Sequence, residues 1–335
     1  MPPSIIFLIA LGAIYAFLNG VHDSSSIVAT MISSRAIQPR AALLITAVAE
    51  FTGPFVFGIA VANTIGDQIA NPQFLNVQVI ISALLSAIFW NVLTWLLGIP
   101  SSSSHALFGG IIGGVIMGAG FHAIVMSGVI KVLISLFISP VIGFFAGYLV
   151  AQLVYAFSWK ATPKINGVFR KLQIVTSFGL ALSHGSNDAP KSMGLITLGL
   201  LVSGQIDKFI VPEWVVLVGA SSIALGTALG GWQLIRTLGS KFYRIRPIHG
   251  FSTQISSALV TLTASLLGGP TSTTQVVSAS IMGVGAAERV NQVRWGVAGE
   301  ILSAWLITIP ITAALAALIY WLIEFGAPIL SRLMG

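Results

Sequence analysis

The chain is 335 residues long, 56% hydrophobic and only 7% charged, with 16 Lys and Arg against 9 Asp and Glu for a formal charge of +7. A mean hydropathy of +0.95 and short polar connections leave no room for a soluble domain, and the absence of Cys excludes disulfides, thiolate metal sites and Cys nucleophiles. The basic residues fall in loops, as the positive-inside rule requires, and no basic-aromatic surface exists to carry nucleic acid.

Apolar runs of about 20 residues mark membrane helices, and ten such segments are predicted, all α. The first, 4–34, reads as a membrane helix and not a removable signal peptide, because no charged region precedes it; it carries the polar stretch NGVHDSSS (19–26). Next come 41–65, which holds Glu50, then 77–98 with the unbroken run VIISALLSAIFWNVLTWLLG, then 105–119, entered through PSSSSH (100–105), and 128–157. A basic stretch, 158–171, precedes the second set. That set is 172–203 with SHGSNDAPKSMG (183–194), 211–235, 251–268, 275–287 entered through PTSTTQ (270–275), and 293–325. Segments 105–119 and 275–287 are short for a plain crossing and read as half-helices or re-entrant pieces.

The two sets are related. FLNGVHDSS (17–25) aligns with LSHGSNDAP (182–190), setting Gly20 on Gly185 and Asp23 on Asp188. GPFVFGIAVANTIG (53–66) aligns with GTALGGWQLIRTLG (226–239), and LLGIPSSSSH (96–105) with LLGGPTSTTQ (266–275). Three matches in the same order predict a duplicated chain, with one repeat over 1–157, a cytoplasmic connecting loop over 158–171 and a second repeat over 172–335. Arg35 and Arg40, the basic cluster of the connecting loop, Lys241, Arg244 and Arg246, and Arg289 with Arg294 mark cytoplasmic loops; Lys131 and Arg332 fall on the less favoured side. Matched loops then face opposite ways. The predicted fold is an all-α polytopic membrane protein of two inverted-topology repeats, about five segments each, with discontinuous helices at the midplane and both termini outside.

A carboxylate at mid-bilayer costs ~2.5–3.5 kcal/mol on insertion scales, so two acids at matched positions predict one shared site. Asn19-Gly20 in one motif and Gly185, Asn187 and Pro190 in the other predict helices that break around the acids. Asp23, Asn187 and Asp188 are then candidates for a cation, assisted by the Ser24 and Ser25 region. A structural ion pair between Asp188 and Lys191 is the competing reading. The two Pro-led hydroxyl clusters predict helix N-termini that could hold an oxyanion without a buried Arg; ordinary N-capping would account for either cluster alone. His22, His105 and His184 could relay protons or simply satisfy backbone groups, and Glu50, whose matched position holds Ile223, could tune coupling or pair with a polar neighbour.

HGSNDAPKSMG, GPTSTTQVVSASIMGVG and NGVHDSSSIVATMISSRAIQPR resemble the signatures of the inorganic phosphate transporter family, over essentially the whole chain. The resemblance implies a secondary transporter that imports inorganic phosphate in symport with Na+ or H+, often as a homodimer, with no organic cofactor. It implies phosphate binding by Ser102, Ser103, Ser104, Ser272, Thr273 and Thr274, to which Ser24 and Ser25 are added here. Cation binding falls to Asp23, Asn187 and Asp188, the two acids being the Na+ ligands if sodium drives transport. Asn19, His22, Glu50, His184 and Lys191 are candidates for coupling or gating. The sequence departs from the family pattern at Ser26, where Asn is usual, in the all-Ser first hydroxyl cluster, and at Gln275, where His is usual; these changes bear on cation identity and affinity. The expected partners are phosphate, the cation, membrane lipid and a second copy, with no nucleic acid, in a prokaryotic inner membrane.

Three other readings compete. A sulfate permease would use the same hydroxyls, but Asp23 and Asp188 can accept a hydrogen bond from protonated phosphate and repel sulfate. An intramembrane hydrolase could use Ser with His22 or His184, yet no GxSxG or HExxH is present. No GxxxxGK[ST] loop supports an ATP-driven pump.

Overall fold

The protein is described from a computed structural model, which covers residues 1–99, 101–162, 164–231 and 245–326. Among them the chain forms α1 (Pro3–Ser33), α2 (Pro39–Phe57), α3 (Ala60–Asp67), α4 (Val77–Leu97), α5 (Ser103–Ala119), α6 (Met126–Phe157), α7 (Ile165–Val202), α8 (Glu213–Leu229), α9 (Pro247–Leu266), α10 (Thr273–Glu288) and α11 (Trp295–Trp321). The described residues contain no strand, only an isolated bridge between Ala70 and Ile124. Helix α7 starts at Ile165, so part of the stretch expected as a loop is helical. Pro100, Thr237, Gly239, Lys241, Arg244 and Arg332 lie outside the described residues.

Among the described residues five apolar helices are long enough to cross a bilayer: α1, α2, α4, α6 and the stretch Leu302–Gly326 that includes most of α11. Helices α5 and α8 have 17 residues each and reach about 26 Å at 1.5 Å per residue, short of a ~30 Å hydrocarbon core. Large apolar side chains such as Phe145, Leu149, Leu217 and Leu225 are exposed, while Asn19, Asp23, Glu50, His184, Asp188 and Lys191 are buried. That inversion suits a protein whose surroundings are hydrocarbon; in water such a surface would aggregate.

The helix breaks fall elsewhere than expected. Helices α1 and α7 run unbroken for 31 and 38 residues, straight through Asn19-Gly20 and through Gly185, Asn187 and Pro190. A Pro inside a membrane helix is tolerated when neighbouring helices support the freed backbone, and the glycines serve contact, not unwinding. A Cβ on Gly20 would lie 2.1 Å from the Ile223 carbonyl oxygen of α8, and one on Gly185 would lie 2.2 Å from that of Glu50 on α2. The breaks sit at Gly58, Gly98, Gly230 and Gly268, each with positive φ, where glycine closes a helix without steric cost. Gly58 divides the predicted 41–65 span into α2 and α3. Gly98 and Gly268 lead into the two hydroxyl clusters, which therefore open α5 and α10.

Packing comes in matched pairs. Helix α1 packs on α8 while its match α7 packs on α2; α5 packs on α11 while α10 packs on α6; α4 also meets α11 as α9 meets α6. The glycines repeat the pattern at atomic scale, because a Cβ on Gly113 would lie 2.0 Å from the Ala313 carbonyl oxygen and one on Gly283 the same 2.0 Å from that of Phe144.

Candidate functional site

Helical spacing assembles the site. On α1, Asn19, His22, Asp23 and Ser26 fall at i, i+3, i+4 and i+7, and on α7, His184, Asp188 and Lys191 fall at i, i+4 and i+7, so each set shares one face. Because α1 and α7 pack together, the faces meet. The starts of α5 and α10 bring the hydroxyls, α2 brings Glu50 and α8 brings Thr227.

Asp23 is the meeting point of both hydroxyl clusters. Its Oδ2 accepts a hydrogen bond from Ser103 Oγ at 2.9 Å and its Oδ1 from Thr274 Oγ1 at 2.6 Å. Ser26 Oγ donates in turn to Thr274 Oγ1 at 3.1 Å, and His22 Nδ1 lies 3.1 Å from Asp23 Oδ1. Asp188 pairs with Lys191, accepts from Asn19 Nδ2 at 3.4 Å and lies 2.8 Å from His184 Nε2. Lys191 Nζ also donates to Ser104 Oγ at 2.5 Å and to the Thr271 carbonyl at 2.7 Å. His184 sits among all three acids, with Nδ1 2.8 Å from Glu50 Oε1 and Nε2 3.8 Å from Asp23 Oδ2. Glu50 Oε2 accepts from Thr227, which donates as well to the Gly20 carbonyl at 3.2 Å. Three buried carboxylates thus face one buried ammonium, an excess of negative charge that in hydrocarbon needs a cation or protons.

The expected residues divide by what they touch. Asn19, His22, Asp23, Glu50, His184, Asp188, Lys191, Ser103, Ser104 and Thr274 come together in this cluster. Ser102 instead caps α5, accepting from His105 N at 3.1 Å, with His105 Nδ1 2.6 Å from the same hydroxyl. Ser272 stands at the matched N-cap of α10 without a capping bond from its side chain, and the hydroxyl of Thr273 is buried with no partner among the described residues. Ser24 and Ser25 bond back to the Val21 and His22 carbonyls, both at 2.9 Å, and Ser24 Oγ also accepts from Gly231 N at 3.1 Å. Asn187 secures the second hydroxyl loop, accepting from Thr271 N at 3.0 Å and donating to Ser265 Oγ at 2.9 Å and the Gly269 carbonyl at 3.2 Å. Thr227 was missed from sequence because the residue matched to it is Pro54, and Ser26 registered only as a departure from a pattern.

The donor set fits a cation. Asp23, His184 and Asp188 each offer an atom within 4.8 Å of the others, and carboxylates with hydroxyls are the oxygen ligands that hard cations prefer. Asn19 Oδ1 and Thr273 Oγ1 are buried and lack partners among the described residues, as oxygens that face a ligand would.

An apolar, all-helical chain that buries acids, a lysine and two facing hydroxyl sets is built as a membrane permease. Residues 19–316 match the phosphate transporter family, and the chain belongs to it. It is 42% identical to the "probable low-affinity inorganic phosphate transporter" of Rhizobium meliloti over 97% of this chain and 98% of that one. It is 41% identical to the protein of the same name from Bacillus subtilis, over 95% and 97%. The solved structure of a sodium-dependent phosphate transporter is similar with a TM-score of 0.87 at 26% identity, covering 96% of this chain and 99% of that one. The family is one of transporters, so the hydrolase reading falls.

Proposed function

We propose that the protein imports inorganic phosphate by symport with a cation, Na+ or H+, through two inverted repeats, 1–157 and 172–335, joined across 158–171. The observation that carries this reading is Asp23, which binds Ser103 from one hydroxyl cluster and Thr274 from the other, so a cation held by the acid adjoins hydroxyls suited to an anion. A two-fold relation between the repeats is supported by the exchanged packing of α1 on α8 and α7 on α2, and its inverted sense by the loop charges. Orientation with both termini outside, a homodimer and residence in a prokaryotic inner membrane belong to the same proposal.

In this mechanism Asp23 and Asp188 would hold the cation, which would offset the excess of carboxylates. Once the cation takes their place on Asp23, Ser103 and Thr274 would turn with Thr273, and with Ser104 freed from the Thr271 carbonyl, to donate to phosphate oxygens at the N-termini of α5 and α10, where free backbone N–H groups favour an anion. Lys191, already bonded to Ser104 and to the Thr271 carbonyl, would add positive charge beside both clusters. A phosphate that keeps a proton could donate it to a carboxylate, a bond sulfate cannot offer at neutral pH.

Radiolabelled phosphate uptake into proteoliposomes under an imposed Na+ or pH gradient tests the reading. One of the gradients is expected to drive accumulation above equilibrium, with sulfate a poor competitor. Phosphate that only equilibrates under both gradients defines a channel and overturns symport.

A further inference from the structure

The two halves treat their matched acids differently. Three residues after Asp23 stands Ser26; three residues after Asp188 stands Lys191. The alignment of the hydroxyl clusters sets Ser104 on Thr274 and Ser101 on Thr271, so the contact of Lys191 Nζ with Ser104 Oγ at 2.5 Å has its counterpart in that of Ser26 Oγ with Thr274 Oγ1 at 3.1 Å. Around the ammonium stand the Asp188 carboxylate, a hydroxyl and the Thr271 carbonyl at 2.7 Å. One carboxylate, one hydroxyl and one backbone carbonyl are the oxygen set of a hard-cation site. In the first half the carboxylate is Asp23 and the hydroxyl Thr274, but the serine side chain carries no charge. Among the described residues no Lys or Arg pairs with Asp23; besides the hydroxyls of Ser103 and Thr274 it meets the imidazoles of His22 at 3.1 Å and His184 at 3.8 Å.

We infer that Lys191 is a built-in cation, its ammonium standing in the second half where the first half has only the neutral Ser26 beside Asp23 and takes an exchangeable ion, so that this pair of matched sites binds one mobile cation and not two. The inference rests on the cation-coupled reading above and sets its specificity: a tethered ammonium balances Asp188 in every state of the cycle and cannot be released, while the ion at Asp23 can. Each phosphate moved then draws on one fewer mobile cation than a chain with small polar residues at both positions.

Phosphate binding to the purified, full-length transporter reads this directly. By linkage, each additional cation bound with phosphate adds one to the slope of log affinity against log cation concentration below saturation, about a further tenfold in affinity per decade of cation. Binding is measured across a Na+ titration at fixed pH and a pH titration without Na+, for wild type and for Lys191→Ser, which gives the second half the side chain of the first. The slope is expected to rise by about one in the variant, and to return to the wild-type value when Asp188→Asn is added, because the second site then loses its carboxylate. A folded Lys191→Ser protein that binds phosphate with an unchanged slope overturns the inference. Should that variant fail to fold, Ser26→Lys reads the same question in reverse: a tethered ammonium beside Asp23 is expected to lower the slope by about one, and a folded variant with unchanged slope overturns the inference equally. Wild-type binding that depends on neither Na+ nor pH sinks the cation-coupled reading instead, whatever the variants do.

Discussion

Hydroxyls of the two clusters have different duties, which makes them separable by substitution. Ser102→Ala removes the cap of α5, a loss of about 1 kcal/mol of stability, and phosphate affinity is expected to stay close to wild type. Thr274→Val removes a donor to Asp23; hydrogen bonds to charged groups contribute about 1.5–3 kcal/mol, so phosphate affinity is expected to fall by roughly tenfold or more. Equilibrium binding and thermal unfolding of the two variants check both outcomes; equal loss of affinity in the two would place Ser102 in the anion site after all. The paired acids also separate. Asp23→Asn is expected to insert and fold while the cation dependence of phosphate binding flattens, since linkage is reciprocal. Asp188→Asn strands the buried Lys191 ammonium, a break that costs about 3–5 kcal/mol, and is expected to lower folded yield first. If the two variants are equally stable, the Asp188–Lys191 pair contributes less than its burial implies. The acids and hydroxyls were legible in the sequence because a charge inside an apolar run has few structural explanations. Their partners were not: Ser26 meets Thr274 and Glu50 meets Thr227 across distances along the chain that no local pattern reports. Which serine caps a helix depends on the residue at which that helix begins, and this is fixed by the turn before it.

At the scale of elements, the sequence placed breaks where Gly, Asn and Pro cluster, and the helices instead run through. Gly20 and Gly185 are there because another helix crosses against them, and a sequence read one helix at a time shows the small residue without the neighbour. The hydroxyl clusters were read correctly as helix starts, since the Pro before each cluster and the apolar run after it are local signals. Two glycines of α7 make the distinction measurable. A Cβ on Gly185 would meet the Glu50 carbonyl oxygen at 2.2 Å, while one on Gly179 meets nothing within 4 Å. Gly185→Ala must part α2 from α7 and is expected to cost about 1–3 kcal/mol or more, seen as a lower midpoint of thermal unfolding in detergent together with lost uptake. Gly179→Ala is expected to hold or raise that midpoint, because Ala favours a helix interior over Gly by about 1 kcal/mol. Comparable destabilisation by both would mean that crowding at Gly185 is relieved by movement elsewhere.

For the whole molecule, orientation follows from charged loops, and the absence of Cys makes it testable by single substitutions. Ser4 and Asn166 are exposed at the starts of α1 and α7. Ser4→Cys is expected to react with an impermeant maleimide on intact cells, and Asn166→Cys only after permeabilisation; the reverse pattern inverts the topology. The proposed duplication rests on three ordered matches in the sequence. How the copies embrace was not legible there, because alignment pairs equivalent residues and says nothing of which helix of one copy lies against which of the other.

That embrace bears on how the protein is made. Helix α1 leaves the ribosome long before α8 and α7, against which its Gly20 and its acid-bearing face pack. Until the second half arrives, Asp23 and His22 stand in the membrane without the hydroxyl of Thr274, the imidazole of His184 or the carboxylate of Asp188. The N-terminal half is therefore an unfinished surface during synthesis and not an autonomous unit. Expressed alone, residues 1–162 are expected to be degraded by membrane proteases, and a separately encoded 163–335 to rescue them when both are made together. Accumulation of the first half by itself would show that its own helices suffice to shelter those polar groups.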